Sequence, residues 1–182
     1  MRLLRSRSLS GVITALVAFS APAAAPRLQS ARVVPEVLRA PADQVLAFEL
    51  QAKGVQIYEC RAAKDDPHRF EWAFKAPQAD LFDGTGKQVG THYGGPTWEG
   101  GDGSKVLGTV LAKAESPASG AIPWLLLAAR SNSGAGVFSQ VKSVQRLDTV
   151  GGAAPAVASA AQVGQELRVP YTASYAFYVS RP

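Results

Sequence analysis

The segment VPYTASYAFYV (169–179) decides the class of fold. Val169, Tyr171, Ala173, Tyr175, Phe177 and Val179 fall on one side of an extended chain, and Thr172, Ser174, Ala176 and Tyr178 on the other. A two-residue period over that length marks a strand, because a helix needs apolar groups every three or four residues. The same alternation runs through FEWAFKA (70–76), where Phe70, Trp72, Phe74 and Ala76 oppose Glu71, Ala73 and Lys75. It recurs where Val106, Val110 and Ala112 oppose Lys105, Thr109 and Lys113. AIPWLLLAA (121–129) is apolar throughout, as a strand covered on both faces would be. Pro123, with Gly120 and Ser131 on the flanks, argues against a helix there. VFSQVKSVQRL (137–147) is Val-rich and alternates more weakly.

The punctuation between these runs agrees. Lys53-Gly54, between VLAFELQ (45–51) and VQIYEC (55–60), reads as a hairpin turn, and Asp83-Gly84 and Asp102-Gly103 are strong turn dipeptides. Only Ala160–Val163 suggests a single helical turn. The expectation is an all-β, single-domain antiparallel β-sandwich or flattened β-barrel of nine or ten short strands. The small-residue stretch 151–167 is expected to be a covering loop between late strands.

Composition bounds what such a domain can be. The 182 residues are 47% hydrophobic and 18% charged, which excludes a disordered chain, a coiled coil and a multi-domain assembly. One Cys excludes a disulfide framework within the chain, and one Cys with two His excludes a four-ligand zinc site of those residue types. No metal site is expected. MRLLRSRSLS (1–10) is basic, GVITALVAFS (11–20) is uncharged and mostly apolar, and APAAA (21–25) is small. That order is a secretory signal peptide over 1–23, cleaved after Ala23, followed by a Pro-rich lead-in at 24–44 and the domain at 45–182. The apolar run is shorter than the roughly 20 residues of a spanning helix. The mature protein is therefore expected to be secreted or periplasmic, with no membrane span. Three of the 19 basic residues and none of the 14 acidic ones lie in 1–23, so the remainder carries 16 against 14, a net +2. No Lys/Arg cluster is left to neutralise several phosphates, and nucleic acid is not an expected partner.

THYGGPTWEGGDGSK (91–105) is where chemistry concentrates. His92 with Glu99 or Asp102 supplies the imidazole and carboxylate of a general acid–base site, with Asp83 as another possible partner. Tyr93, Trp98, Glu99, Asp102 and Arg130 make the candidate ligand-binding set: rings to stack, carboxylates to accept hydrogen bonds, a guanidinium to meet an anion. The same residues also fit a plain structural role, in which Trp98 packs under the loop and Glu99 and Asp102 cap turns. His68, in the charged turn KDDPHR (64–69), reads as a solvated surface residue, and Trp72 and Trp124 as core. No cofactor is expected. Gly84, Gly86 and Gly90 are spaced one residue too long for the dinucleotide fingerprint, and no phosphate loop, H-E-x-x-H or G-x-S-x-G occurs. Ser139 and Lys142 form S-x-x-K by chance, on a strand. The lone Cys60 is expected to be buried and inert, with pairing to a second chain as the alternative.

Several phrases together carry a resemblance: GVQIYEC (54–60), FEWAFKAPQADLFD (70–83), GTHYGGPTWEGGDGSKVLG (90–108), AIPWLLLAA (121–129), VQRLDTVGGAAP (144–155) and VPYTASYAFY (169–178). They resemble an exported family of unknown function, the domain of unknown function 3455 family, in order and over about residues 40–180. The resemblance implies membership and assigns no catalytic residue. It also implies an ancestral bridge between the position of Cys60 and a second Cys after the GG-x-A-P phrase. Here that stretch reads Ala156-Val157-Ala158-Ser159, so the staple is lost.

Three functions remain open on the sequence. The first is an exported β-domain that binds a glycan or small polar ligand through 91–105. The second is a hydrolase or isomerase using His92 with a carboxylate, and the third a structural or envelope protein without a site. Convergence of His92, Glu99 or Asp102, and Arg130 in one cleft would favour chemistry.

Overall fold

The computed structural model describes residues 32–182. The expected leader at 1–23 and the first part of the lead-in lie outside the described residues. Eight strands follow one another: β1 (Gln44–Ala62), β2 (Phe70–Phe82), β3 (Gln88–Tyr93), β4 (Thr97–Gly100), β5 (Lys105–Ala114), β6 (Trp124–Ser133), β7 (Val141–Gly151) and β8 (Glu166–Ser180). Each is antiparallel to the next, and β8 pairs with β1, closing an up-and-down barrel. Closure leaves no sheet edge to template pairing with another chain. Single 3-10 turns sit at Glu36–Leu38 and Ala160–Gln162. Among the described residues, no helix is long and apolar enough to cross a membrane.

The strands number eight because β1 is longer than its turn-like dipeptide suggests. Lys53 and Gly54 do not turn the chain; they sit mid-strand, opposite Asp80 and Ala79 of β2 and Thr172 and Tyr171 of β8. Gly54 is needed there because β2 crosses too close for a side chain: a Cβ would lie 2.1 Å from the Gln78 carbonyl oxygen. The Asp83 and Asp102 turns form as expected. Residues 137–140 belong to a turn, and β7 begins only at Val141.

The interior follows the alternation. Tyr171, Ala173, Tyr175 and Phe177 of β8 join Leu50, Ala52, Leu81, Trp98, Val106, Leu127 and Val144 in the main core. The 121–129 run is covered on both faces for a concrete reason. Leu127 faces the barrel core, while Trp124 and Leu126 join Leu147 and Leu38 in a second cluster. Leu38 comes from the lead-in, which packs on the barrel wall with Leu38 fully buried. Trp124 is thus core, whereas Trp72 on β2 is only half-buried.

One end of the barrel is plugged. Phe138, from the turn before β7, packs tilted against Phe48 and Phe177 at ring separations of 5.8 and 5.0 Å. Asp102 holds that turn: its Oδ2 accepts from Val137 N at 2.8 Å, and its Oδ1 accepts from Ser104 N and Oγ at 2.9 and 2.6 Å. Ser104 Oγ in turn accepts from Phe138 N, and Asn132 Nδ2 donates to the Phe138 and Val141 carbonyls. These bonds fix a bulky ring as a stopper at this end.

Candidate functional site

The 91–105 segment is a hairpin and the turn that follows it, and alternation splits its side chains between two environments. His92 pairs with Trp98, and Trp98 with Val106, and all three are buried in the barrel. Glu99 pairs with Thr91 and with Lys105, and its carboxylate lies on the outer surface. There Tyr93 donates to Glu99 Oε2 at 2.7 Å, and Lys105 Nζ stands 3.1 Å from the same oxygen. The Tyr93 hydroxyl and then the Lys105 ammonium hold the Glu99 carboxyl below the usual carboxylate range. Asp102 is held low by its bonds to the Ser104 hydroxyl and the Val137 amide. It braces the plug turn. Asp83 closes its own turn through Thr85 and Lys87. Arg130 is exposed on β6. The convergence expected for acid–base chemistry is therefore not formed.

His92 has different company. Its Nδ1 stands 2.8 Å from the Thr97 carbonyl oxygen, which can only accept, so Nδ1 carries the hydrogen. Its ring stacks on Trp98 at 4.6 Å and 15° and lies 5.0 Å from Tyr175. Loss of hydration on burial pushes its pKa down to about 3, against the partial opposition of the Thr97 bond. The imidazole is neutral at any physiological pH.

These rings form part of the wall of a cavity of about 510 Å³ at the end of the barrel opposite the plug. The cavity reaches from Gln56 and Tyr58 on β1, past His92, Trp98 and Tyr175, to Arg146 on β7. Phe74, Pro77, Val110, Ile122, Leu125 and Leu127 are apolar side chains of its lining. Phe74 and Val110 are both more than half exposed and form an apolar lip. Gly94-Gly95-Pro96, the turn between β3 and β4, lies at the same opening. Eight-stranded barrels have an interior just large enough to be filled by side chains or to hold one small ligand. Here the phenylalanine stopper fills one end, and the cavity lies towards the other.

Three buried groups on that wall lack a hydrogen-bond partner: Gln56 Nε2, Trp98 Nε1 and the Tyr175 hydroxyl. Tyr58, by contrast, donates to the Gly152 carbonyl at 2.6 Å. Arg146 spends Nε and Nη2 on a single carbonyl, that of Pro123, at 3.1 and 2.9 Å. Among the described residues, no carboxylate lies within ion-pair distance of it.

Sequence reasoning found His92 and Trp98 but not Gln56, Tyr175 and Arg146 as wall residues. The β8 alternation already placed Tyr175 on an inward stripe. The sequence carries one signal for the guanidinium, Arg146 as a charge within the Val-rich run 137–147. Among the described residues, no group of three or more His, Cys, Asp or Glu side chains is placed to hold a metal ion. Cys60 is buried, its Sγ 3.7 Å from the Ser159 carbonyl oxygen in the loop before β8.

No curated protein and no solved structure matches the chain. A family model does, over residues 41–179, which spans all but the last residue of the barrel and most of the described chain. The chain belongs to the family described as protein of unknown function DUF3455.

Proposed function

We propose that this protein is an exported β-barrel that takes one small molecule into the open end of its lumen. The observation that carries the reading is the set of unpartnered donors, Gln56 Nε2, Trp98 Nε1 and the Tyr175 hydroxyl, on the wall of an otherwise apolar cavity. A buried donor left unpaired costs about 1–3 kcal/mol, and a ligand with acceptors in the right places removes that penalty. Cavity size agrees, since small-molecule sites run from about 300 to 1,000 Å³ and combine apolar walls with a few aimed polar groups. A glycan resting on the outer surface of 91–105 has less support, because Trp98, one of the two rings it would stack on, is 1% exposed, and the hydroxyl of the other, Tyr93, is bonded to Glu99. Acid–base catalysis by His92 has no carboxylate to orient it. Export rests on the basic, apolar and small-residue order of residues 1–25.

N-phenyl-1-naphthylamine, a neutral dye that brightens in apolar surroundings, tests the cavity. Saturable binding of one dye per chain, lost in Val110→Trp with the melting temperature unchanged, is the expected result. No saturable binding to the folded protein would overturn the reading. Export is tested separately. Protein recovered from a bacterial periplasm should begin at Ala24 by intact mass, and an uncleaved cytoplasmic chain would overturn that part.

A further inference from the structure

The cavity wall is lopsided in charge. Its lining includes two cationic side chains, Lys75 and Arg146, and no Asp or Glu. Lys75 is already matched at the rim, where its Nζ stands 3.2 Å from Glu166 and 3.7 Å from Glu59. Arg146 is not matched. Register places it opposite the inward Tyr175 on β8 and beside Leu125 on β6. Two of its donor atoms bond one neutral carbonyl, which tethers the guanidinium without neutralising it. A half-buried cation with only a carbonyl partner is an unsettled charge, since removal from water is compensated mainly by an opposite charge.

The uncharged wall groups lean the same way. An indole N–H only donates, and the Gln56 Nε2 amide nitrogen only donates. The Tyr175 hydroxyl lies near Arg146 and Tyr171 without a hydrogen bond of ordinary geometry. Two of the three unpartnered groups therefore only donate, and the third, the Tyr175 hydroxyl, can donate as well. His92 adds no charge, being neutral; its single N–H is used by Thr97, and its Nε2 is left as an acceptor.

We infer that the ligand carries an oxyanion head, of the carboxylate, sulfonate or phosphate kind, on an apolar body. The head meets Arg146 with Tyr175 and Gln56 beside it, and the body lies between Trp98, Leu125 and Leu127 towards the lip at Phe74 and Val110. This rests on the lumen being a binding site, and it adds the class of molecule. A guanidinium suits such a head because its fork of N–H groups matches two oxygens at once.

A matched pair of dyes separates the two claims. 1-Anilinonaphthalene-8-sulfonate and N-phenyl-1-naphthylamine share one ring body and differ by the sulfonate. The wild-type protein should bind the sulfonate dye roughly ten- to a hundred-fold more tightly, the range of one charge-assisted contact. Arg146→Gln should erase that preference, and Arg146→Lys, which keeps the charge, should retain part of it. Equal binding of both dyes by the wild type overturns the anion inference and leaves the cavity reading standing. A preference that survives in Arg146→Gln also overturns it. Failure of both dyes to bind overturns the cavity reading and the inference with it. The wild-type comparison needs no variant, so it remains decisive even if Arg146→Gln does not fold.

Discussion

His92 makes the closed packing of the barrel measurable through pH. Its pKa in the folded protein lies near 3, whereas an unfolded histidine titrates near 6.5. Between those values the unfolded chain holds a proton that the folded chain refuses. Stability is therefore fully present above pH 6.5 and falls with acidification, at about 1.4 kcal/mol per pH unit once the unfolded ring is protonated. The loss amounts to about 2 kcal/mol between pH 7 and pH 5, or roughly 4–8 °C in melting temperature for a domain of this size. The carboxyls that are held low, among them Glu99, Asp102 and Glu166, add to the loss only nearer their unfolded values of 3.8 to 4.5. The window from pH 7 to 5 thus isolates the imidazole. Urea unfolding across that window should show the slope in the wild type. His92→Asn keeps a donor for the Thr97 carbonyl but cannot titrate, and His92→Phe keeps the ring that stacks on Trp98. Both are expected to be less stable than the wild type at pH 7 and to lose the slope. A wild-type slope no steeper than that of the two variants would refute the argument, because it would mean that His92 takes up its proton without unfolding.

Two further perturbations test the frame around the site. Gly54→Ala should destabilise by about 3 kcal/mol or more, because its Cβ would meet the Gln78 carbonyl and the Ala79 Cα of β2 at 2.1 and 2.4 Å. Gly84→Ala, in the β2–β3 turn with no atom within 4 Å of the added carbon, should be neutral or slightly stabilising. Thermal melts with Gly54→Ala as mild as Gly84→Ala would show that β2 does not press on β1 there. Ala158→Cys and Ser159→Cys, made singly, test whether the loop before β8 lies over Cys60. One of them should oxidise to a bridge, consume both thiols and add about 2–4 kcal/mol to stability. Two free thiols in each oxidised variant would refute that placement.

The period of two in β8 and β2, together with the Asp83-Gly84 and Asp102-Gly103 turns, was legible because each is a local property of a few consecutive residues. Those signals suffice for an all-β domain, and the unbroken apolar run 121–129 for a strand covered on both faces, which the structure sets at Trp124–Ser133; membership of the family was legible only through the phrases that carry the resemblance. Alternation says which residues share a face but not which face is inside. Only the pairing of β8 with β1, from opposite ends of the described chain, closes the barrel and turns His92 and Trp98 inward and Tyr93 and Glu99 outward. The same closure makes Gly54 a point of close approach, although in sequence it resembles a turn glycine. It also sends Arg146, and not Arg130, to the cavity wall. Lumen and exterior are created by contacts distant in the chain, and no local pattern of residues encodes them.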